Sequence, residues 1–438
     1  MKWVLLTFLT LLALVGSEEQ ERLGLNSFRA QDVLAESGEA IYIPSVFADW
    51  GEQVTASVGE VSFPVFVVEF QDVKYKTSKV SQEELARWIF DTNADSVAGY
   101  YETASHGRME LTGDVYEYTA KGNMADYENN AALEGLLMEI LEFYNEEIDF
   151  SRYDRNGDSV LDAVAVSVPS GNNAAFWWAG THKWYENWEY SVDGLYLMNY
   201  IISDEQPYEN SRTYYVGTLR HELGHCLGLP DYYKYSYTGT DYEGLHGLAG
   251  KELMDDSEGD FCQFSKLQLG WLTKDQVQIM PWYAERATFW LPSAAEGGCI
   301  LIFPRGQKPD LQGEYFLVEY NTPEGNQEGV IGQGGVRIFH AEAEVFTEDG
   351  YYYAYKYNNF SPFYDDSNNG RRVLKLVNDG KGFYREGDIV TFENTGAEEG
   401  NFGWYTEDGN VSDCGFSVEI GQLDEENGCM EITIAWDK

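Results

Sequence analysis

The stretch from His221 to Asp231 carries the residue types and spacing of a catalytic zinc site. Residues four apart on an α-helix lie on one face, so His221 and His225 can offer two imidazole nitrogens to one ion. Glu222 follows the first histidine directly and can place a carboxylate base in the same cleft. The spacing therefore predicts a metal-dependent hydrolytic site on a helix. The alternative is a buried helix that carries two histidines and a glutamate by coincidence.

A third metal ligand is expected just beyond this helix. Gly228 can adopt a positive φ and end the helix, and Pro230 prevents it from resuming. The chain can then turn and bring Asp231 back to the ion. Two histidines and one carboxylate leave a fourth position open, which a catalytic zinc site requires. The alternative for Asp231 is a capping or turn carboxylate within Leu-Pro-Asp-Tyr.

A second cation site is predicted in an acidic loop. Asp154, Asn156, Asp158 and Asp162 place oxygen ligands at alternate positions, and the Val160 carbonyl can add another. The spacing is that of the first nine positions of a calcium loop, but no glutamate stands at the twelfth. The sequence therefore predicts a structural calcium ion. The alternative is a turn rich in aspartate and asparagine before the next strand.

A methionine in a turn is a candidate for the floor of the zinc site. Met254 lies downstream of the second histidine within Gly-Lys-Glu-Leu-Met-Asp-Asp. In zinc peptidases with a short metal helix, a turn of this kind places an apolar side chain beneath the ion. A lone methionine is otherwise most often a core residue, which is the alternative for Met254.

Composition excludes some classes of partner. The chain has 438 residues and a net charge of −45, which argues against binding nucleic acid or anionic membranes. It is nevertheless not a disordered chain, because aromatic residues make up 15% and recur in apolar runs. A strongly acidic surface suits a soluble protein outside the cell.

The N-terminus predicts export. Residues 1–17 have a basic start and a short apolar run and are interpreted as a signal peptide, with a retained signal anchor as the alternative. Residues 18–59 are polar and acidic and are interpreted as an N-terminal extension or short pro-segment. The odd number of cysteines leaves one unpaired; Cys226 with Cys262, and Cys414 with Cys429, are candidate disulfides.

Both helices and strands are predicted in residues 60–275. Ser62 to Phe70 has the apolar pattern of a buried strand, and Ser81 is the expected cap of a helix. Asn129 to Glu147 has helical spacing, and Val216 to Leu227 is the expected metal helix. Leu195 to Ser203 is predicted to be a strand that presents an edge to an extended substrate. This pattern predicts a mixed α/β catalytic domain.

The pattern changes in residues 276–438. Short alternating runs, separated by clusters of glycine, asparagine and aspartate, extend from Ala287 to Trp436. They predict a β-rich, sandwich-like C-terminal domain. The whole chain is therefore expected to belong to the α+β class.

Several stretches in the same order resemble one family of enzymes. They are Val65–Val73, Ser96–Met109, Tyr153–Asp162, His221–Asp231 and Phe264–Leu272. Together they resemble the immune inhibitor A family of secreted bacterial metallopeptidases, metallopeptidase family six, over about residues 60–345. The resemblance implies a zincin-type catalytic domain and a metzincin-like zinc endopeptidase that is exported and stabilised by calcium. The sequence departs from the family after Met254, where acidic residues replace the usual small ones.

The expected function is a secreted zinc-dependent endopeptidase. One zinc ion held by His221, His225 and Asp231 would activate water, with Glu222 as general base. Tyr232 and Tyr233 are both candidates to stabilise the oxyanion. The expected partners are protein or peptide substrates, and we expect a monomer. The alternatives are a catalytically degenerate extracellular protein that binds proteins or glycans, and a zinc hydrolase with a non-peptide substrate.

Overall fold

The computed structural model describes residues 31–34, 40–43, 55–93, 95–171, 173–233, 251–281, 283–307, 309–348, 351–357, 371–377, 382–395, 402–407 and 410–437. The predicted signal peptide, residues 1–17, and most of the predicted extension at 18–59 lie outside these ranges. Both stay predictions.

The described α-helices lie in the first two thirds of the chain. They are α1 (Gln82–Phe90), α2 (Val97–Ala104), α3 (Asn130–Tyr144), α4 (Ala174–Trp177), α5 (Arg212–Cys226), α6 (Leu253–Asp256) and α7 (Gln263–Gln268).

Side-chain caps set the starts of α1 and α3, whereas α5 begins without a side-chain cap. The Ser81 side chain accepts a hydrogen bond from the Glu84 N–H at 3.2 Å, which confirms the predicted start of α1. Asn129 caps α3 in the same way. The helix predicted over Val216 to Leu227 is observed, and it begins a turn earlier as α5.

Strands run through the whole chain. Those before the metal helix are β1 (Gln31–Leu34), β2 (Ala40–Ile43), β3 (Gly59–Glu69), β4 (Met109–Thr119), β5 (Ala165–Ser167), β6 (Gly180–Lys183), β7 (Ser191–Val192), β8 (Leu195–Tyr196) and β9 (Asn199–Ser203). Those after it are β10 (Val277–Ile279), β11 (Arg286–Leu291), β12 (Cys299–Ile302), β13 (Glu314–Asn321), β14 (Gly335–Glu342), β15 (Val345–Glu348), β16 (Tyr351–Tyr355), β17 (Leu374–Leu376), β18 (Ile389–Val390), β19 (Gly403–Tyr405), β20 (Val411–Asp413), β21 (Phe416–Asp424) and β22 (Cys429–Trp436).

The first large sheet has the order β4-β3-β5-β9-β6. The inner pairs are parallel, and β6 joins the edge antiparallel to β9. The prediction that Leu195 to Ser203 forms one edge strand is wrong. The run is divided between β8 and β9, and β9 is hydrogen-bonded to strands on both sides. The two edge strands are β4 and β6, and β6 is the one that contacts the metal helix through Thr181.

Both faces of this sheet are covered. Along β3, Phe63 and Val65 point into a core shared with α1, α2 and α5, whereas Phe66 and Val68 point into a core shared with α3. This follows from the two-residue repeat of a strand, whose successive side chains point to opposite faces. A parallel sheet buried on both faces explains the continuous apolar run seen in the sequence.

The later strands form a five-stranded sheet, β10-β12-β13-β14-β17, and a four-stranded sheet, β11-β22-β21-β18. Phe316 and Val318 of β13 share one core cluster with Val418 and Ile432 of the four-stranded sheet. The opposite face of β13 presents Leu317 to the core that also contains α5. The apolar core is therefore continuous across the predicted boundary between residues 275 and 276. The described helices and strands together place the protein in the α+β class.

Buried ion pairs lie where the two parts of the chain meet. The Nζ of Lys266 lies 2.6 Å from an Oδ2 of Asp260, and both side chains are buried. Arg337 of β14 pairs with Glu319 of β13 at 2.7 Å, and Glu319 also accepts the N–H of Gln263 at 2.7 Å. The hydrogen bond from Gln263 to Glu319 fixes the first turn of α7 against β13.

The sequence predicts no membrane span in the mature chain and offers two candidate disulfides. No helix among the described residues has both the length and the apolarity needed to cross a bilayer. All five cysteines have free thiols, so neither Cys226 with Cys262 nor Cys414 with Cys429 forms a disulfide.

We expect Lys266→Met to destabilise the fold strongly. The substitution leaves the buried Asp260 carboxylate without its cation, and removal of one partner of a buried pair costs about 3–5 kcal/mol. Denaturant unfolding followed by fluorescence would measure the loss. The matched control is Lys356→Met, which breaks an exposed pair with Glu344 and should cost no more than about 1 kcal/mol. Equal losses in the two variants would contradict the structural role of the buried pair.

Candidate metal centre

The metal helix ends at a glycine, as the sequence predicts. Gly228 has a φ of +97°, a conformation that costs glycine little. The Leu229 N–H bonds the Gly224 carbonyl at 3.1 Å, which closes the last turn and reverses the chain. This reversal carries Asp231 back toward the helix.

The three predicted zinc ligands come together. Nε2 of His221 lies 2.9 Å and Nε2 of His225 lies 3.3 Å from the same Oδ1 of Asp231. His221 and Asp231 are buried, and His225 is half-buried. Among the described residues, this is the one group with three histidine, cysteine or carboxylate ligand atoms within 4.8 Å of one another.

Backbone carbonyl oxygens orient both imidazole rings. Nδ1 of His221 lies 2.8 Å from the Leu253 oxygen, and Nδ1 of His225 lies 2.8 Å from the Leu229 oxygen. A carbonyl oxygen accepts only, so each Nδ1 carries a proton and donates it. In the neutral rings Nε2 therefore keeps its lone pair and faces Asp231, which is the tautomer that a metal ligand needs.

The electrostatics of the group fit a cation. Burial opposes the charged forms, but the Asp231 carboxylate outweighs it and raises the pKa of His225 to about 10. It raises the pKa of His221 as well, and the two rings hold the pKa of Asp231 well below its ordinary range. Because each Nδ1 already donates, Nε2 can donate to Asp231 only from a protonated ring. A divalent cation would replace those protons.

The spacing of the ligand atoms also fits zinc. Ligand atoms of a tetrahedral site with bonds of about 2.0–2.2 Å lie about 3.3–3.6 Å apart. The observed separations of 2.9 and 3.3 Å from the two Nε2 atoms to Oδ1 are close to this range. The donor set of two imidazoles and one carboxylate is one that zinc accepts in catalytic sites.

Glu222 lies beside this group and contacts the edge strand. It is buried, and its Oε2 lies 3.0 Å from the Thr181 hydroxyl of β6. The same hydroxyl lies 2.7 Å from the backbone oxygen of Glu222. Thr181 therefore fixes the position of the predicted base relative to the sheet edge. Nothing in the short run Gly180–Lys183 marks it in the sequence as part of the site.

Met254 lies directly beneath the metal helix. Its side chain is fully buried, and a Cβ built on Gly224 would stand 2.5 Å from its Sδ. A side chain at position 224 would therefore displace the methionine. This explains why a glycine lies between the two histidines, and it places Met254 where the sequence predicts the floor of the site.

A buried carboxylate shapes the turn that carries Met254. Glu252 accepts hydrogen bonds from the Met254 N–H at 2.6 Å, the Ser265 hydroxyl at 3.0 Å and the Cys262 N–H at 3.3 Å. Burial raises the pKa of Glu252 to about 8 although these donors favour the ionised form. The next residue, Leu253, supplies the carbonyl that orients His221. The sequence does not predict this role of Glu252, because its hydrogen-bond partners are set only by the fold.

The two candidate tyrosines have different surroundings. Tyr232 is buried in the core with its hydroxyl 2.9 Å from that of Ser265, so the structure does not place it at an oxyanion. The ring of Tyr233 lies 6.4 Å from the ring of His221 and nearly parallel to it. Of the two, Tyr233 is the one beside the predicted metal.

The acidic loop supports both interpretations of its sequence. Asp154 accepts the N–H groups of Gly157 and Ser159 at 2.8 and 3.0 Å, as the turn alternative expects. Within the described part of the chain, the three aspartates do not bring three ligand atoms within 4.8 Å of one another. A metal ion at this loop would need further oxygens.

A small cavity beside the loop supplies such an oxygen. It is lined by the predicted ligands Asn156, Asp158, Val160 and Asp162, and also by Asn199, the first residue of β9. Asn199 is 5% exposed, and its Oδ1 has no hydrogen-bond partner. Burial raises the pKa of Asp162 to about 7. An unpaired buried oxygen beside costly carboxylates fits a hard cation.

No model of a known protein family matches the chain, and no curated protein matches it. The resemblance to the immune inhibitor A family therefore rests on the motifs alone and stays a prediction.

We expect Glu252→Gln to loosen the turn that orients His221. The amide nitrogen of glutamine cannot accept, so at least one buried donor loses its partner, at a cost of about 1–3 kcal/mol. Zinc affinity should fall about 10- to 100-fold, as it does when groups behind a metal ligand are removed. Calorimetric zinc titration and denaturant unfolding would measure both.

The control is Glu258→Gln, an exposed glutamate of the same segment. If it matched Glu252→Gln in zinc affinity and stability, Glu252 would have no special role in the turn.

Proposed function

We propose that the protein is a secreted zinc-dependent endopeptidase that hydrolyses peptide bonds in proteins. The observation that carries this proposal is the convergence of His221, His225 and Asp231 with a carboxylate, Glu222, next to the first ligand on the same helix. The same proposal includes a zincin-type catalytic domain, a sandwich-like C-terminal domain and a monomeric state.

The proposed chemistry divides between the ion and the chain. Zinc, when bound, supplies Lewis acidity that lowers the pKa of a water molecule and polarises the scissile carbonyl. Glu222 takes a proton from the attacking water and later delivers it to the leaving amine. Thr181 holds this carboxylate, and the carbonyl oxygens behind the histidines keep the ligand nitrogens directed at one point.

The free edge of β6 supports a peptide substrate. The backbone N–H of Trp184 donates to the Met198 carbonyl oxygen on the β9 side at 2.9 Å. Along an antiparallel pair, residues whose backbone groups face the partner strand alternate with residues whose backbone groups face away from it. The N–H and C=O groups of Thr181 therefore point away from β9, toward an edge that no described strand of this sheet covers. An extended peptide can pair with these groups beside Glu222.

The first test measures zinc content and casein cleavage on one purified sample, with and without a chelator. We expect about one zinc per chain, cleavage that the chelator stops, and recovery when zinc is returned. A protein that binds no zinc and cuts no casein would instead favour the binding-protein alternative. Zinc binding without cleavage of casein or peptides would favour a non-peptide substrate.

Glu222→Gln separates catalysis from metal binding. We expect kcat/KM to fall by at least about 10²- to 10⁴-fold, because the general base is lost, while zinc content stays the same. Glu258→Gln, which changes an exposed glutamate, is the matched control. Wild-type cleavage by Glu222→Gln would disprove the role of general base.

We also propose a structural calcium ion between the acidic loop and Asn199. Calcium should raise the thermal unfolding midpoint of the wild type, since a ligand at 100 times its Kd stabilises a protein by about 2.7 kcal/mol. Asp158→Asn and Asn199→Ala should reduce this gain. Asp424→Asn is the control, because Asp424 accepts hydrogen bonds from the N–H groups of an exposed turn far along the chain. An equal calcium effect in all these variants would place the ion elsewhere.

A further inference from the structure

The segment that continues the edge strand β6 is unusually well fixed. Trp184 extends the pairing with β9, its side chain is buried, and its Nε1 donates to the Asn187 carbonyl at 2.8 Å. The Tyr190 N–H bonds the same carbonyl at 2.8 Å and closes a turn. The Trp184 ring also packs against the rings of Tyr190 and Tyr200.

A single buried carboxylate holds this segment, and it comes from α3, on the face of the sheet opposite the metal helix. Glu134 of α3 is 1% exposed. Its Oε1 accepts the N–H groups of Tyr185 and Glu186 at 2.8 and 3.0 Å. Its Oε2 accepts the N–H of Asn187 at 2.8 Å and the side-chain amide of Asn187 at 2.9 Å. Both oxygens are thus saturated by one short stretch of chain.

Burial of the Glu134 carboxylate costs free energy that its hydrogen bonds must offset. An ionised carboxylate taken out of water is stable only when hydrogen bonds replace its hydration. A surface turn needs no such anchor, since water can satisfy its N–H groups. The anchor therefore points to a demand for a fixed backbone at this place.

The fixed segment displays aromatic side chains. Tyr185 and Trp188 are 47% and 60% exposed, although aromatic rings of this size are usually well buried. Rigid, exposed aromatic residues contribute large contact area at a small entropic cost, which is typical of binding surfaces.

The position relative to the candidate metal centre indicates what binds there. Thr181 of β6 contacts Glu222, and Tyr185 lies four residues further on, just beyond the end of β6. At about 3.3 Å per residue, four extended residues span at most about 13 Å from Thr181, the residue that contacts the predicted base. A peptide paired with β6 advances at the same rate, so its residue three to five positions from the scissile bond would reach these rings.

We propose that Tyr185 and Trp188, held by Glu134, form a distal subsite for the peptide substrate that accepts an aromatic or large apolar side chain. This inference rests on the proposed peptidase function and names a preference within it. Glu134 acts as a positioning residue, because it contacts the segment and not the substrate. The preferred substrate is an extended peptide with such a side chain three to five residues from the cleaved bond.

The test compares two fluorogenic peptides that share the residues around the scissile bond. Both peptides extend about six residues to each side of the scissile bond. One carries tryptophan and the other carries serine at the third to fifth positions from that bond. For the zinc-loaded wild type we expect kcat/KM to be about 10-fold higher for the tryptophan peptide, which is the effect of one apolar contact. The difference should lie in KM and not in kcat.

Trp188→Ala, Tyr185→Ala and Glu134→Gln should each reduce this ratio toward one. Both peptides are measured on the same preparation, so a loss of folded enzyme cancels in the ratio. Trp290→Ala is the matched control, because Trp290 is 46% exposed on β11, outside the segment. It should leave the ratio as in the wild type.

The outcomes separate the inference from the function on which it rests. Equal cleavage of both peptides by the wild type, or a ratio unchanged in Trp188→Ala and Tyr185→Ala, overturns the subsite and leaves the peptidase intact. A preserved ratio in Glu134→Gln overturns the positioning role of Glu134. Failure to cut either peptide, with no effect of a chelator, overturns the peptidase function and the subsite with it.

Discussion

The candidate metal centre depends on two backbone carbonyl oxygens that accept hydrogen bonds from the Nδ1 atoms of its histidines. The Leu229 oxygen belongs to the turn that ends α5, and the Leu253 oxygen belongs to the turn that carries Met254. No side-chain substitution at these leucines removes a carbonyl group. The directions of both imidazole rings are therefore properties of two turns, and any change that moves a turn moves a ligand.

The second of these turns is held from beyond the predicted catalytic domain. The Lys251 carbonyl, at its start, accepts hydrogen bonds from Arg337 at 3.2 Å and from the side chain of Gln327 at 3.3 Å. Arg337 is itself paired with Glu319, which also holds the first turn of α7 through Gln263. The later sheets therefore do more than extend the chain. They fix the floor of the site, which explains why one apolar core crosses the predicted boundary.

Local patterns in the sequence were sufficient for part of this site. The four-residue spacing of the histidines and the glycine after them are read within one segment, and they correctly place His221, His225 and Asp231 together. The prediction that Leu195 to Ser203 forms the edge of the sheet is wrong. Strand order depends on pairing between distant segments, and the residue pattern of this run does not indicate it. The sequence does not predict the role of Thr181 for the same reason, because its partner Glu222 lies far along the chain.

The acidic composition also does not distinguish carboxylates that are buried in the fold from carboxylates that are exposed. Glu134 and the neighbouring pair Glu186 and Glu189 are the same residue type, and in the net charge of −45 they count alike. Glu134 is buried and accepts four hydrogen bonds from the segment in which the other two are exposed. What distinguishes a structural carboxylate from a solvated one is the number of donors that the fold directs at it. Those donors come from chain some fifty residues away, so charge counting bounds the solubility and the partners of the protein but cannot locate its sites.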